Sequence, residues 1–267
     1  MKLLKGFSVK NIEFGLEKVS ERWVSRSLLY KYLEDTELCD DVDRTIYLTP
    51  SATRDISKSP AVSLSGETIR TVLDHLGHSE TGYVLFRKAD QIEVVNPPLK
   101  VNMDAMVEGF DPYMLKDIFD DQPYVGVVLV RLGRFGVVLL RGEKIVESKT
   151  QGRYVKNRHR AGGSSQRRFE RSRERLVREL YDKVCEISTS IFEPFLGKII
   201  TVYLGGEKHT LNGFKKRCTV FTQQKIPVSS RILSVGDPNN KAINQIHKDV
   251  YKSKIQVFKL IRLLKNP

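Results

Sequence analysis

Gly162-Gly163-Ser164-Ser165-Gln166 is the part of this sequence best suited to chemistry, because it sets a neutral amide beside two glycines inside a dense field of arginines. From Lys149 to Glu179 there are eleven Lys or Arg residues (Lys149, Arg153, Lys156, Arg158, Arg160, Arg167, Arg168, Arg171, Arg173, Arg175, Arg178) against three acids (Glu170, Glu174, Glu179), a net +8 out of the chain's formal +13. Glycine reaches backbone conformations closed to other residues and lets a chain approach a ligand closely. Guanidinium groups match phosphate oxygens two at a time. Together they describe a tip that delivers an uncharged hydrogen-bonding group, Gln166, into a polyanion. Arg153, Lys156, Arg158, Arg160, Arg167, Arg168 and Arg171 are the candidate phosphate contacts, and Ser164 and Ser165 are candidate caps for a following helix. Two plainer readings stand beside this one: an ordinary loop before a Ser-capped helix, and an arginine-rich helix whose charge only solvates an exposed face.

The elements around the tip are legible from spacing. Tyr124 to Arg131, Phe135 to Arg141 and Lys144 to Thr150 are Val-rich runs separated by Gly133 and Gly142, which predicts an antiparallel meander ending at the glycine motif. After Gln166 the apolar residues Phe169, Leu176, Leu180, Val184, Ile187 and Ile191 recur at helical spacing, predicting one long amphipathic helix that stops before Pro194. Its apolar face would pack on the meander and its basic face would be wet. A strand at 199–204, a helix at 211–216, a strand at 231–235 and a helix at 239–252 complete a mixed sheet with helices on its faces, as in the ribonuclease-H-like fold.

Ahead of this lies a mixed α/β segment. Leu16 to Leu33 reads as an amphipathic helix, 45–49 as a strand, 50–65 as a loop, 67–76 as a helix and 83–86 with 91–95 as a hairpin. The acidic stretch from Met103 to Asp121 is the natural junction, so the chain divides into an N-terminal α/β domain over 1–118, without a chemical motif, and a second domain over 122–267. The overall class is α/β (α+β). At 267 residues the chain has room for two cores of this size.

A sequence pI near 9.6 points to nucleic acid or an acidic membrane surface as partner. No run approaches the length of a spanning helix, and the first residues, Met1-Lys-Leu-Leu-Lys-Gly-Phe, show no secretory signal, so no membrane role and a cytoplasmic location are expected. Cys39, Cys185 and Cys218 are far apart with no zinc spacing and read as small buried hydrophobes. His159 stands near the tip but has no carboxylate to orient it. No metal and no cofactor are implied.

Arg160-Ala-Gly-Gly-Ser-Ser-Gln-Arg-Arg-Phe-Glu-Arg-Ser-Arg-Glu174, with the meander before it and the helix after it, resembles the catalytic loop and helix in the central domain of archaeal and eukaryotic class-one release factors. Counting back from Arg168-Phe169, the shared glycines fall on Gly162 and Gly163, whereas the release-factor glutamine position is Ser164 and the glutamine here lies two residues later. This Gly-Gly-x-Ser-Gln form is similar to the Vms-like release factor (VLRF) family. The resemblance covers roughly residues 122 to 260. It implies codon-independent hydrolysis of peptidyl-tRNA in the peptidyl transferase centre of the large ribosomal subunit, with ribosomal RNA as a contact and Gly162, Gly163 and Gln166 as the catalytic residues; a monomer is the default expectation. Two other outcomes stay open on the same substrate: cleavage of the tRNA 3′ (CCA) end, and a non-catalytic ribosome-binding factor similar to Pelota.

Overall fold

The computed structural model describes residues 13–55, 67–155 and 166–263. It divides into two compact units: the described residues up to Ile118 together with Lys252–Leu263, and Phe119–Tyr251.

The first unit is a six-stranded sheet built from β1 (Glu13–Val24), β2 (Arg44–Leu48), β3 (Tyr83–Arg87), β4 (Gln91–Asn96), β5 (Ala105–Glu108) and β11 (Ser253–Leu263). Its order is β1-β11-β4-β3-β2-β5, and every neighbouring pair is antiparallel. One face packs Ile46, Leu48, Leu85, Ile92 and Val94 against α2 (Pro50–Arg54) and α3 (Glu67–Leu76). From the other face Glu93 accepts a hydrogen bond from Tyr32 of α1 (Arg26–Cys39) and pairs with Lys88 at 3.0 Å. A fourth helix, α4 (Tyr113–Asp120), follows β5.

Two expectations fail here, for one reason. The helix expected over Leu16 to Leu33 is a strand as far as Val24, and only then a helix, with Ser25 capping it by accepting from the Leu28 amide at 3.3 Å. The second domain does not run to 267, because Ser253–Leu263 is inserted between β1 and β4 of the first sheet. β1 pairs with β11 from Glu13↔Leu263 to Val24↔Ser253. These two strands lie more than 200 residues apart in the chain, and local periodicity carries no trace of such a pairing. The segment expected as a loop from Pro50 also begins with α2, whose N-cap is Thr49.

The second unit carries the basic region. β6 (Tyr124–Arg131), β7 (Arg134–Arg141) and β8 (Lys144–Gly152) form the expected meander. Then come α5 (Gln166–Phe192), β9 (Ile199–Gly206), α6 (Lys208–Arg217), α7 (Val220–Gln223), β10 (Val228–Leu233) and α8 (Asn240–Val250). The sheet order is β10-β9-β6-β7-β8, with β9 and β10 parallel to β6 and β7 antiparallel to both of its neighbours. Counted in chain order within the unit and starting from β8, this is 3-2-1-4-5 with one reversed strand, the ribonuclease-H-like arrangement. β6 and β7 are nearly continuous apolar runs because both of their faces are covered. Val128, Val130, Phe135, Val137 and Leu139 pack with Leu180, Val184 and Phe214 from α5 and α6. The opposite face takes α8: a Cβ on Gly136 would lie 2.7 Å from Ile243 Cδ1, and Thr150 Oγ1 donates to Asn240 Oδ1 at 2.6 Å.

The cysteine reading is corrected as well. Cys185 and Cys218 form a disulfide joining α5 to the C-cap of α6, and Cys39 is exposed. A separation of 33 residues between two helices gives no sequence signal that the two would meet.

Candidate active site

Gln166 is the first residue of α5 and is exposed. The first four N–H groups of an α-helix have no acceptor within the helix, and the aligned peptide dipoles leave partial positive charge there. The Gln166 backbone amide is therefore a donor at a site that favours negative charge. Its side-chain Nε2 donates to Glu170 Oε1 at 3.1 Å, one helical turn on. A carboxylate only accepts, so the amide nitrogen must face it, which leaves the Gln166 carbonyl oxygen free to accept from another molecule.

The helix is held by its second half. Leu180, Val184, Ser188 and Ile191 are buried, whereas Gln166 to Arg171 are all exposed. At 1.5 Å per residue the exposed start extends about 9 Å. Phe169, expected on the core stripe, is 47% exposed because it belongs to this overhang. The entry to the tip is fixed from the other side. The Arg153 amide donates to Gly133 O at 2.8 Å, and the Arg153 guanidinium pairs with Glu179 of α5 at 3.1 Å.

Among the expected phosphate contacts, Arg167, Arg168 and Arg171 are exposed on the first turns of α5, and Arg153 sits against Glu179 beyond them. Lys156, Arg158, Arg160, Gly162, Gly163, Ser164 and Ser165 lie outside the described residues, as does His159.

One ion pair was not legible in the sequence. Arg217, in the last turn of α6, grips Asp182 of α5 through both carboxylate oxygens, Nε to Oδ1 at 2.5 Å and Nη2 to Oδ2 at 2.7 Å. Arg217 holds the Asp182 carboxyl below its ordinary range, and Arg153 and Arg178 add to the effect. The two partners are 35 residues apart in sequence, and Asp182 reads locally as one acid on a wet helix face. Among the described residues no cluster of His, Cys, Asp or Glu could hold a metal ion, and no helix is long and apolar enough to cross a membrane.

The described residues thus give a ribonuclease-H-like sheet and a long basic helix that opens on an exposed glutamine. A family profile described as "Actinobacteria/chloroflexi VLRF1 release factor" matches residues 123–256, half of the chain, and the chain belongs to that family. It is similar to the peptide chain release factor subunit 1 of Archaeoglobus fulgidus, 29% identical over 163 residues (55% of this chain, 39% of that protein). The same subunit of Picrophilus torridus is 26% identical over 197 residues (68% and 48%). The matches thus span less than half the length of these curated relatives. Solved structures that align with it include the archaeal translation termination factor aRF1 (TM-score 0.36, 18% identity, 85% of this chain and 73% of that one) and the Vms1 mitochondrial localization core (TM-score 0.38, 12% identity, 68% and 77%).

Proposed function

We propose that this protein is a codon-independent, ribosome-associated peptidyl-tRNA hydrolase that frees nascent peptides from stalled ribosomes. The observation that carries the reading is Gln166, an exposed amide at the N-terminus of a long basic helix in a member of a release-factor family. The bond to be broken is the ester between the peptide and the terminal ribose of tRNA. Water adds to the ester carbonyl carbon, the carbonyl oxygen becomes an oxyanion, and the ribose oxygen leaves with a proton. The products are a peptide acid and a tRNA with its hydroxyl restored. The step needs an aimed donor for the oxyanion more than a strong base. The Gln166 N–H, reinforced by the helix N-terminus, would supply that donor. The side-chain carbonyl oxygen, left free by the hydrogen bond to Glu170, would accept from the attacking water or the ribose hydroxyl. Gly162 and Gly163 would let the loop thread beside the ribose, with Arg153, Lys156, Arg158, Arg160, Arg167, Arg168 and Arg171 on RNA phosphates. The peptidyl transferase centre of the large subunit, a monomeric factor, a cytoplasmic setting and the absence of any cofactor complete the proposal. The catalytic unit would be the one spanning Phe119–Tyr251.

Stalled ribosome–nascent-chain complexes incubated with the protein test this, with peptide and tRNA followed separately. Released peptide with an intact CCA end supports ester hydrolysis. A shortened tRNA means endonuclease action, and stable binding without release means a Pelota-like role.

A further inference from the structure

The arginines of α5 are not scattered around the helix. Arg168, Arg171, Arg175 and Arg178 follow one another at spacings of three, four and three, and Asp182 comes four residues later on the same line. All five are exposed. With each residue turning the helix by about 100°, this line lies opposite the buried Leu180, Val184 and Ser188. It also lies about 200° around the helix from Gln166, so the track and the glutamine address different sides.

Asp182 does not interrupt the positive charge, because it is occupied by Arg217. The last turn of α6 then adds Lys215 and Lys216, both exposed. That turn is fixed to α5 by the Tyr181–Phe214 ring contact at 6.1 Å and by the Cys185–Cys218 bridge. Arg153 joins from β8's end through Glu179, which also lies 3.9 Å from Arg175. The result is a line of cations about 15 Å long from Arg168 to Arg178, with a positive charge every 4.5–6 Å or so along α5. Arg168, Arg171, Arg175, Arg178, Lys215 and Lys216 include no aromatic side chain. Proteins that hold single-stranded nucleic acid add aromatic platforms for the bases, whereas duplex RNA is read through its backbone and shape.

We propose that the track that runs on from Arg168 and Arg171 through Arg175 and Arg178 to Lys215 and Lys216 is a docking surface for the phosphate backbone of double-helical RNA, separate from the contact made by Gln166. It deepens the ribosome reading by assigning a second RNA contact, and it does not depend on the hydrolysis step.

The test uses the full chain with a blunt RNA duplex of two helical turns and a single strand of the same length, titrated over a range of KCl concentrations. Three double variants are compared: Arg175→Gln/Arg178→Gln and Lys215→Gln/Lys216→Gln on the track, and Lys241→Gln/Lys248→Gln on α8, which packs on the other face of the sheet. Every position is exposed, so folding is preserved in all three. Each phosphate contact contributes a slope near 0.9 in log affinity against log salt, so each track variant should flatten the duplex slope by about 2, while the α8 variant moves it by less than about 0.5. Equal flattening by the α8 variant means net charge alone and overturns the proposal. Wild-type slopes in both track variants, or tighter binding of the single strand than of the duplex, overturn it too. The assay contains no ribosome and no peptidyl-tRNA, so failure of the Gln166 chemistry would leave its result unchanged.

Discussion

Replacing Gly126 by alanine should loosen the seat of α5. Gly126 lies in β6, and a Cβ built there would stand 2.8 Å from Val202 Cγ2 of β9 and 2.9 Å from Phe192 Cζ at the end of α5. Ordinary contact begins near 3.4 Å, so both neighbours would have to retreat by several tenths of an ångström. Neither does so cheaply: Val202 is a β-branched residue in a strand, and the Phe192 ring is fully buried. Overpacking of this kind costs about 1–3 kcal/mol. Alanine also restricts the unfolded chain, which returns roughly 0.4–1 kcal/mol. The balance is a net destabilisation of about 1–2 kcal/mol. Gly152→Ala is the control, since its Cβ would meet nothing nearer than Gly133 O at 3.8 Å, and it should be neutral or slightly stabilising. Amide hydrogen exchange over β6, β9 and the second half of α5 reads the effect directly. The single tryptophan, Trp23, lies in β1, so its fluorescence reports the other unit. If Gly126→Ala protects those amides as well as Gly152→Ala does, the close packing of α5 on the sheet is wrong.

Three further outcomes follow from the same geometry. Opening the Cys185–Cys218 bridge, by reduction or by Cys185→Ser, removes a 33-residue cross-link and should lower stability by about 3–4 kcal/mol on the chain-entropy estimate; calorimetry with and without reductant checks it. Asp182→Asn should matter at neutral pH and not in strong acid. The Asp182 carboxyl is held low by Arg217, so the stabilisation it gives is complete above the ordinary carboxylate range near pH 4 and is lost only as pH falls through the depressed folded value. Melting temperatures of variant and wild type should therefore differ near pH 7 and converge well below pH 4, and a constant difference would sink the assignment. Glu170→Ala frees the Gln166 amide and should slow peptide release by roughly three- to tenfold, the worth of one ordinary net hydrogen bond, read in single-turnover release.

Much of the second unit was legible because its signals are local. The meander, the stop before Pro194 and the 27-residue helix all follow from runs of about ten residues and their punctuation. The charge field around Gln166 needed only counting. What escaped reading depends on contacts far apart in the chain. Leu16 to Val24 has apolar spacings that suit a helix, and its pairing with Ser253–Leu263 overrides them. Asp182 with Arg217, and Cys185 with Cys218, meet only because α6 lies along α5. Phe169 shows a different limit: periodicity gives the side of a helix that is apolar, but not where along its length the core ends.

Single-turnover peptide release from stalled ribosome–nascent-chain complexes, wild type beside Gln166→Ala, is the most direct measurement. Gln166→Ala keeps the backbone N–H and removes the side-chain oxygen that positions the attacking water or the ribose hydroxyl, and misplacing a reacting group costs about a hundredfold, so release should fall by at least that order while ribosome binding persists and the CCA end stays intact. Release at the wild-type rate by Gln166→Ala would remove the glutamine from the chemistry and contradict the proposed function.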